Sequence, residues 1–262
     1  MNVLQVQSRK KTVGRVLGLV ISLFCFTQQL ESIGGDRKLS LDQLALQTGT
    51  DKSSAFHAYT AIYDKFFSGI RHKPIKFLEI GIYKGASIAL WDRYFDNAQT
   101  RLHFIDIDPQ AVALCKNRSF SSRIDGYIVN QEDKESLRQF VATAGQEYDI
   151  IIDDGGHTMD QQKNSFEVLF PTLKKGGVYI IEDLHTSYWP VYGGGTADST
   201  INFLCNLVHD INAVGAQGFV EGDTQTFFAD FNKFDRLFFK NYYQEHIDSI
   251  TFYGSLCFIF KR

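Results

Sequence analysis

The sequence predicts an α/β fold built on a doubly wound, mostly parallel sheet, and three observations carry that prediction. Five short apolar runs alternate with segments of helical periodicity, which requires crossover connections and hence parallel strands. The runs are continuous rather than alternating, as in strands buried on both faces. The chain then closes on two more strand-like runs separated by a tight turn, adding an antiparallel C-terminal hairpin. The whole reads as a Rossmann-like sheet.

The elements follow in order. "SRKKTVGRVLGLVISLFCFTQQ" joins a basic segment to an apolar run, Val16 to Phe26, too short to span a bilayer. The following "TQQLESIGG" lacks a small-x-small cleavage site. Residues 1–38 are therefore expected to be an N-terminal extension whose helix packs on the domain or a second subunit, with a secretory segment as the alternative. No integral membrane span is expected, and the expected location is cytoplasmic, with a secreted or membrane-associated form the alternative that the apolar run leaves open. From Leu41 to Phe67 the chain reads as helices broken near "QTGTDKSS", with Ala58, Ile62, Phe66 and Phe67 on helical spacing. "IKFLEIG", "RLHFIDID", "DGYIVN", "EYDIIIDD" and "VYIIEDL" are the five strands. Between them "GASIALWDRYF", "PQAVALCKNR", "KESLRQFVATAG" and "DQQKNSFEVLFPTLKKGG" read as helices. A Phe-rich helical segment after residue 219 has packing, pocket lining or a subunit contact open to it, and a homo-oligomer is among the expectations. "IDSITFYGSLCFIFKR" forms the hairpin, turning at Tyr253 to Ser255.

Bulk properties narrow the function. A length of 262 residues suits one α/β unit, so residues 39–262 are expected to form a single domain. The net charge of -3 lacks the basic excess that neutralises phosphates, which argues against a nucleic-acid partner. Cys25, Cys115, Cys205 and Cys257 stand singly, so neither a zinc knuckle nor a disulfide framework is suggested.

Each apolar run stops at polar residues: Glu79 with Gly81, Asp106 with Asp108, Asp153 with Asp154, Glu182 with Asp183. In open α/β sheets ligands bind outside the carboxyl ends of the strands. Gly81 and Gly85, in an ExGxxxG turn, let backbone approach a ligand ahead of a helix N-terminus, and Asp106 stands where a carboxylate holds ribose hydroxyls. Together they favour a nucleoside cofactor. If the fourth and fifth strands are neighbours, their tips lie about 5 Å apart. Asp154, Glu182 and Asp183 then crowd one space and call for a compensating cation. Oxygen-only ligands suit a hard divalent ion, Mg²⁺ before Mn²⁺ or Ca²⁺. His157, three residues after Asp154, is the candidate general base, since its ordinary pKa near 6.5 lets it accept a proton at neutral pH. Tyr188, Trp189 and Tyr192 follow the acids as flat aromatic surfaces for a substrate ring.

"FLEIGIYKGASIALW", "FIDID", "IIDDGGH" and "IIEDLHTSYWPVYGG" together resemble the class I S-adenosylmethionine-dependent methyltransferases. More narrowly they are similar to the metal-dependent sugar O-methyltransferases of the mycinamicin and macrocin type. The resemblance runs from "TGTDKSS" to "SITFYGSLCFIF". It implies the class I methyltransferase fold, with Asp154, Glu182 and Asp183 as Mg²⁺ ligands and His157 as base. It also implies that Glu79, Gly81, Asp106 and Gln131 or Asp133 surround S-adenosylmethionine. The residues of "VNQEDKESL" alone say only strand end and helix cap. The expected partner is a small-molecule glycoside or glycan, a catechol-like diol being the alternative acceptor and a non-catalytic nucleoside-binding module the alternative class. "TGTDKSSAFHAY" is expected to form part of a lid over the cofactor.

Overall fold

The structure is a computed structural model that describes residues 38–117, 119–212 and 241–262. The apolar run Val16 to Phe26 and most of the Phe-rich segment lie outside the described residues. Leu41–Arg262 forms one unit by its internal contacts.

Seven strands make one sheet: β1 (Lys76–Ile80), β2 (Arg101–Asp106), β3 (Ile124–Ile128), β4 (Tyr148–Asp153), β5 (Leu173–Ile181), β6 (Ile247–Tyr253) and β7 (Leu256–Lys261). Their order is β3-β2-β1-β4-β5-β7-β6. The first five run parallel, and β7 pairs antiparallel with both β5 and β6. This is the mixed sheet expected from the sequence. Chain order reverses between β1 and β4, so the ligand-binding crevice belongs there.

Among the described residues the α-helices are α1 (Leu41–Thr48), α2 (Thr60–Phe67), α3 (Ala86–Tyr94), α4 (Pro109–Ala113), α5 (Lys134–Ala144), α6 (Met159–Leu169), α7 (Thr200–Asn212) and α8 (Tyr242–His246). Alternate residues of β1 serve opposite faces, as the pleat requires. Leu78 and Ile80 join Leu137, Phe140, Phe166 and Leu204 on one side. Phe77 faces the other, where its ring meets Trp91, Phe95 and Phe104. Glu79 shares that second face and accepts from Trp91 Nε1 at 3.3 Å.

Two local readings need correction. Ala58 lies outside α2, with φ 56°, so helical spacing starts at Thr60. "PTLKKGG" is not the end of a helix either. Pro171 lacks the amide that an α-helix interior needs, α6 stops at Leu169, and β5 starts at Leu173. Lys261 Nζ then donates to Pro171 O and Leu173 O, both at 2.7 Å, which fixes this entry to the hairpin. Among the described residues no helix is long and apolar enough to cross a membrane.

Candidate active site

Register explains why the polar residues meet. Asp153 is level with Ile181 and with Ile80, so Gly81, Asp154 and Glu182 all begin just beyond the sheet edge. The backbones there are very close: a Cβ on Gly81, whose φ is 94°, would stand 2.0 Å from Asp154 O. Only glycine tolerates that contact.

The "DDGGH" loop is shaped by two glutamines. A Cβ on Gly155 would meet Gln131 Oε1 at 2.1 Å, and one on Gly156 would meet Gln161 Oε1 at 2.2 Å. Gln131 accepts from Gly156 N at 3.0 Å and donates to Asp153 at 2.6 Å. Asp153 also accepts from Ser165 and, at 3.0 Å, from Tyr179; burial nonetheless raises its pKa to about 6. Gln161 closes a capping box with Thr158 at the start of α6. His157, between loop and cap, holds φ 60°.

Among the described residues two groups of potential ligands result, and Asp154 belongs to both. Asp154, His157 and Asp183 place one ligand atom each within 4.8 Å of one another, as do Glu79, Asp154 and Glu182. In the first group His157 Nε2 lies 3.9 Å from Asp154 Oδ1 and 3.7 Å from Asp183 Oδ2. In the second, a residue not singled out from the sequence supplies a cation. Lys52, 1% exposed, binds Asp154 Oδ2, Glu182 Oε1 at 2.9 Å and Glu79 Oε1 at 3.3 Å. Tyr63 Oη donates to Glu182 Oε1 at 2.5 Å, and Tyr59 Oη to Asp183 Oδ1 at 2.7 Å.

The electrostatics show a cluster short of positive charge. Burial opposes the Lys52 ammonium, but Asp154, Glu182 and Glu79 outweigh it and raise its pKa. Burial raises the pKa of Asp154 and Glu79 despite Lys52, and burial together with Asp154 raises that of Glu182 well above the carboxylate range. One ammonium among four acids does not balance them.

Beside the acids lies a cleft of about 330 Å³ lined by residues including Gly81, Asp106, Gln131 and Asp154. A second, of about 250 Å³, runs along Thr50, Asp51, Lys52 and Ser87 and shares Gly81, Tyr83 and Asp154 with the first. Asp106 Oδ2 accepts from Ile82 N at 2.8 Å and Tyr83 N at 3.3 Å, tying the glycine turn to the cleft wall.

Against known proteins, residues 78–184 match the family model described as "Methyltransferase domain". The MycE methyltransferase from the mycinamycin biosynthetic pathway, solved with Mg and SAH, superposes with a TM-score of 0.69 at 27% identity, over 87% of this chain and 55% of that one. The chain has the class I methyltransferase fold. Curated relatives include the L-olivosyl-oleandolide 3-O-methyltransferase of Streptomyces antibioticus, 37% identical over 59% of this chain and 39% of the relative. The mycinamicin VI 2''-O-methyltransferase of Micromonospora griseorubida is 35% identical over 61% and 40%. The chain thus spans well under half the length of these curated relatives.

Within this fold the site residues expected from sequence fall in different places. Asp154, His157 and Asp183 come together, whereas Glu182 stands in the neighbouring triad. Gly81, Asp106 and Gln131 line the larger cleft. Gly85, with φ 78°, is the N-cap of α3, and Asp133 caps α5 by accepting from Glu135 N at 2.9 Å; neither lines a cleft described above. Glu79 is wholly buried behind the acids. Trp189 and Tyr192 pack 6.0 Å apart, and the Tyr192 ring lies 6.5 Å from that of His157. Tyr188 is 66% exposed. Lys52, Tyr59 and Tyr63 were not singled out from the sequence. Lys52 and Tyr59 do lie in "TGTDKSSAFHAY", the segment expected to cover the cofactor, and Tyr59 and Tyr63 stand one helical turn apart.

Proposed function

We propose that this chain is an S-adenosylmethionine- and Mg²⁺-dependent O-methyltransferase acting on a sugar hydroxyl of a glycosylated natural product. The observation that carries the reading is the Asp154–His157–Asp183 group, whose Asp154 also lines the cleft formed by Gly81, Asp106 and Gln131. The sugar-directed names of the relatives support the choice of acceptor.

The residues fit a divalent ion. Their oxygen donors are hard, they converge, and the cluster lacks positive charge. Asp154 and Asp183 would hold the ion, with Glu182 beside them in the triad that shares Asp154. Such an ion supplies a charge that makes an acceptor hydroxyl easier to ionise. S-adenosylmethionine supplies the methyl as a sulfonium. Asp106, fixed by the turn amides, faces the cleft where ribose hydroxyls would lie. Gln131 shapes the loop wall beside it.

His157 Nε2 is the atom that takes the acceptor's proton, and Asp154 and Asp183 stabilise the imidazolium that results. The acceptor oxygen loses its proton as it gains the methyl. Trp189 and Tyr192 present aromatic surface next to His157 for a sugar face, and orientation there supplies much of the rate.

The test is transfer of labelled methyl from S-adenosylmethionine to a panel of glycosides and catechols, with chelator and Mg²⁺ add-back. Chelator-sensitive glycoside methylation is expected. Methylation of catechols alone would overturn the acceptor class, chelator-insensitive turnover the metal, and cofactor binding with no product in the whole panel the enzymatic reading.

A further inference from the structure

Each of the three acids expected to hold the metal has one oxygen engaged by a single upstream segment. Lys52 Nζ binds Asp154 Oδ2, and it is Oδ1 of Asp154 that faces His157. Tyr59 Oη donates to Asp183 Oδ1, and Oδ2 faces His157. The contacts of Glu182 from Lys52 and Tyr63 both fall on Oε1. The three upstream residues lie within twelve positions and are each at most 2% exposed. A free carboxylate turns about its last bond, whereas one pinned through one oxygen presents the other in a fixed direction.

We infer that Lys52, Tyr59 and Tyr63 are positioning residues that orient Asp154, Asp183 and Glu182 toward one divalent ion, and that the Lys52 ammonium, by filling the Glu79–Asp154–Glu182 triad, confines that ion to the His157 side. The inference rests on the metal-dependent reading above.

Two physical points support it. A Mg²⁺ ion requires oxygens at about 2.0–2.1 Å in near-octahedral array, so ligands already aimed bind it more tightly than ligands that must first reorganise. A buried triad that already holds an ammonium also repels a second cation at short range. The sharing of Asp154 between the triads makes Lys52 the residue that divides them: it takes Oδ2 for one and leaves Oδ1 for the other.

The test is Mn²⁺ binding to the full chain, followed by electron paramagnetic resonance and calorimetry, with wild type, Y59F, Y63F, K52M and K52M/E79Q. Wild type is expected to bind one Mn²⁺. Y59F and Y63F, each lacking a single hydroxyl, should still bind one, with Kd raised about ten- to a hundredfold. K52M should take up a second Mn²⁺ in the vacated triad, and K52M/E79Q should lose that second ion. A purely structural role for these residues would lower Tm without moving affinity or stoichiometry. Folded Y59F and Y63F with wild-type Kd would overturn the inference, as would a folded K52M that binds one ion at wild-type affinity. If K52M does not fold, the two tyrosine variants decide. Wild type that binds no Mn²⁺ would instead sink the metal-dependent reading, and this inference with it.

Discussion

His157 Nε2 lies 3.7 Å from Asp183 Oδ2, and both residues hold left-handed backbone, with φ 60° and 55°. Non-glycine residues rarely adopt that region, and they persist there only where their surroundings over-determine them. Here the surroundings are visible. Thr186 Oγ1 lies 3.2 Å from His157 O and 2.9 Å from Asp183 O, so its single O–H is shared between the carbonyls of the two strained residues. The loops after β4 and β5 thereby deliver an imidazole and a carboxylate to the same point.

Replacing His157 by Ala should remove the proton acceptor while leaving the cleft intact. General-base catalysis contributes roughly 10²- to 10⁴-fold, so kcat should fall by about that factor. The affinity for S-adenosylhomocysteine should stay within about twofold of wild type, because the base makes no part of the cleft lined by Gly81, Asp106 and Gln131. Single-turnover transfer and calorimetry measure the two quantities, and full turnover in H157A would remove His157 as the base.

Legibility in the sequence followed locality. β1, β4 and β5 were readable because strands buried on both faces leave continuous apolar runs, and the acids at their ends were readable because the runs stop there. The crowding of those acids also announced that a cation was needed. That Lys52 supplies part of it was not readable. A lysine in a polar loop has no periodicity to mark it, and it reaches Asp154 across 102 residues of chain. Gln131 and Asp133 could not be separated in one dimension. Only the fold shows that the first turns into the cleft while the second caps α5. The KKGG segment misled for a different reason: lysines and a helical period upstream outweighed the stop signal of Pro171.

Gly81→Ala should be among the most damaging conservative changes in the chain. Its Cβ would sit 2.0 Å from Asp154 O and 2.8 Å from Asp154 C, both backbone atoms that cannot move without parting β1 from β4. Overpacking and the positive φ together should cost about 2–4 kcal/mol and abolish cofactor binding. Gly176, with φ 75° and open space around it, is the control. Its alanine variant should lose about 1 kcal/mol and bind cofactor normally. Urea midpoints and calorimetry make the comparison, and equal losses at the two positions would refute the close-approach argument.

Below neutrality, stability should depend on His103. Its imidazole is 5% exposed and shares a 2.8 Å hydrogen bond with Tyr148 Oη. Burial, and then the nearby Lys76, push its pKa down to about 4. The unfolded chain takes up this proton near pH 6.5 and the folded chain only near 4. The contribution is therefore fully present above about pH 6.5 and is lost as the pH falls toward 4, by at most about 3 kcal/mol. The stability of wild type should drop across that window more steeply than that of His103→Gln, measured by urea unfolding from pH 4 to 8. Parallel curves would show that His103 does not titrate as its burial requires.

Trp189 and Tyr192 give the most direct test of the acceptor surface. Trp189 is 47% exposed beside the half-buried Tyr192, so an indole face is available without loss of core packing. Because a stacked ring contributes about 0.5–1.5 kcal/mol beyond its area, Trp189→Ala should raise the glycoside KM by roughly two- to tenfold. If the contact is made equally in ground and transition states, kcat should hold. Tyr192→Ala stands nearer to His157, and loss of that neighbour should lower kcat as well by freeing the imidazole to tilt. The pattern to look for in steady-state kinetics is thus a KM effect at Trp189 and a mixed effect at Tyr192. Wild-type KM in both variants would place the sugar elsewhere on the domain.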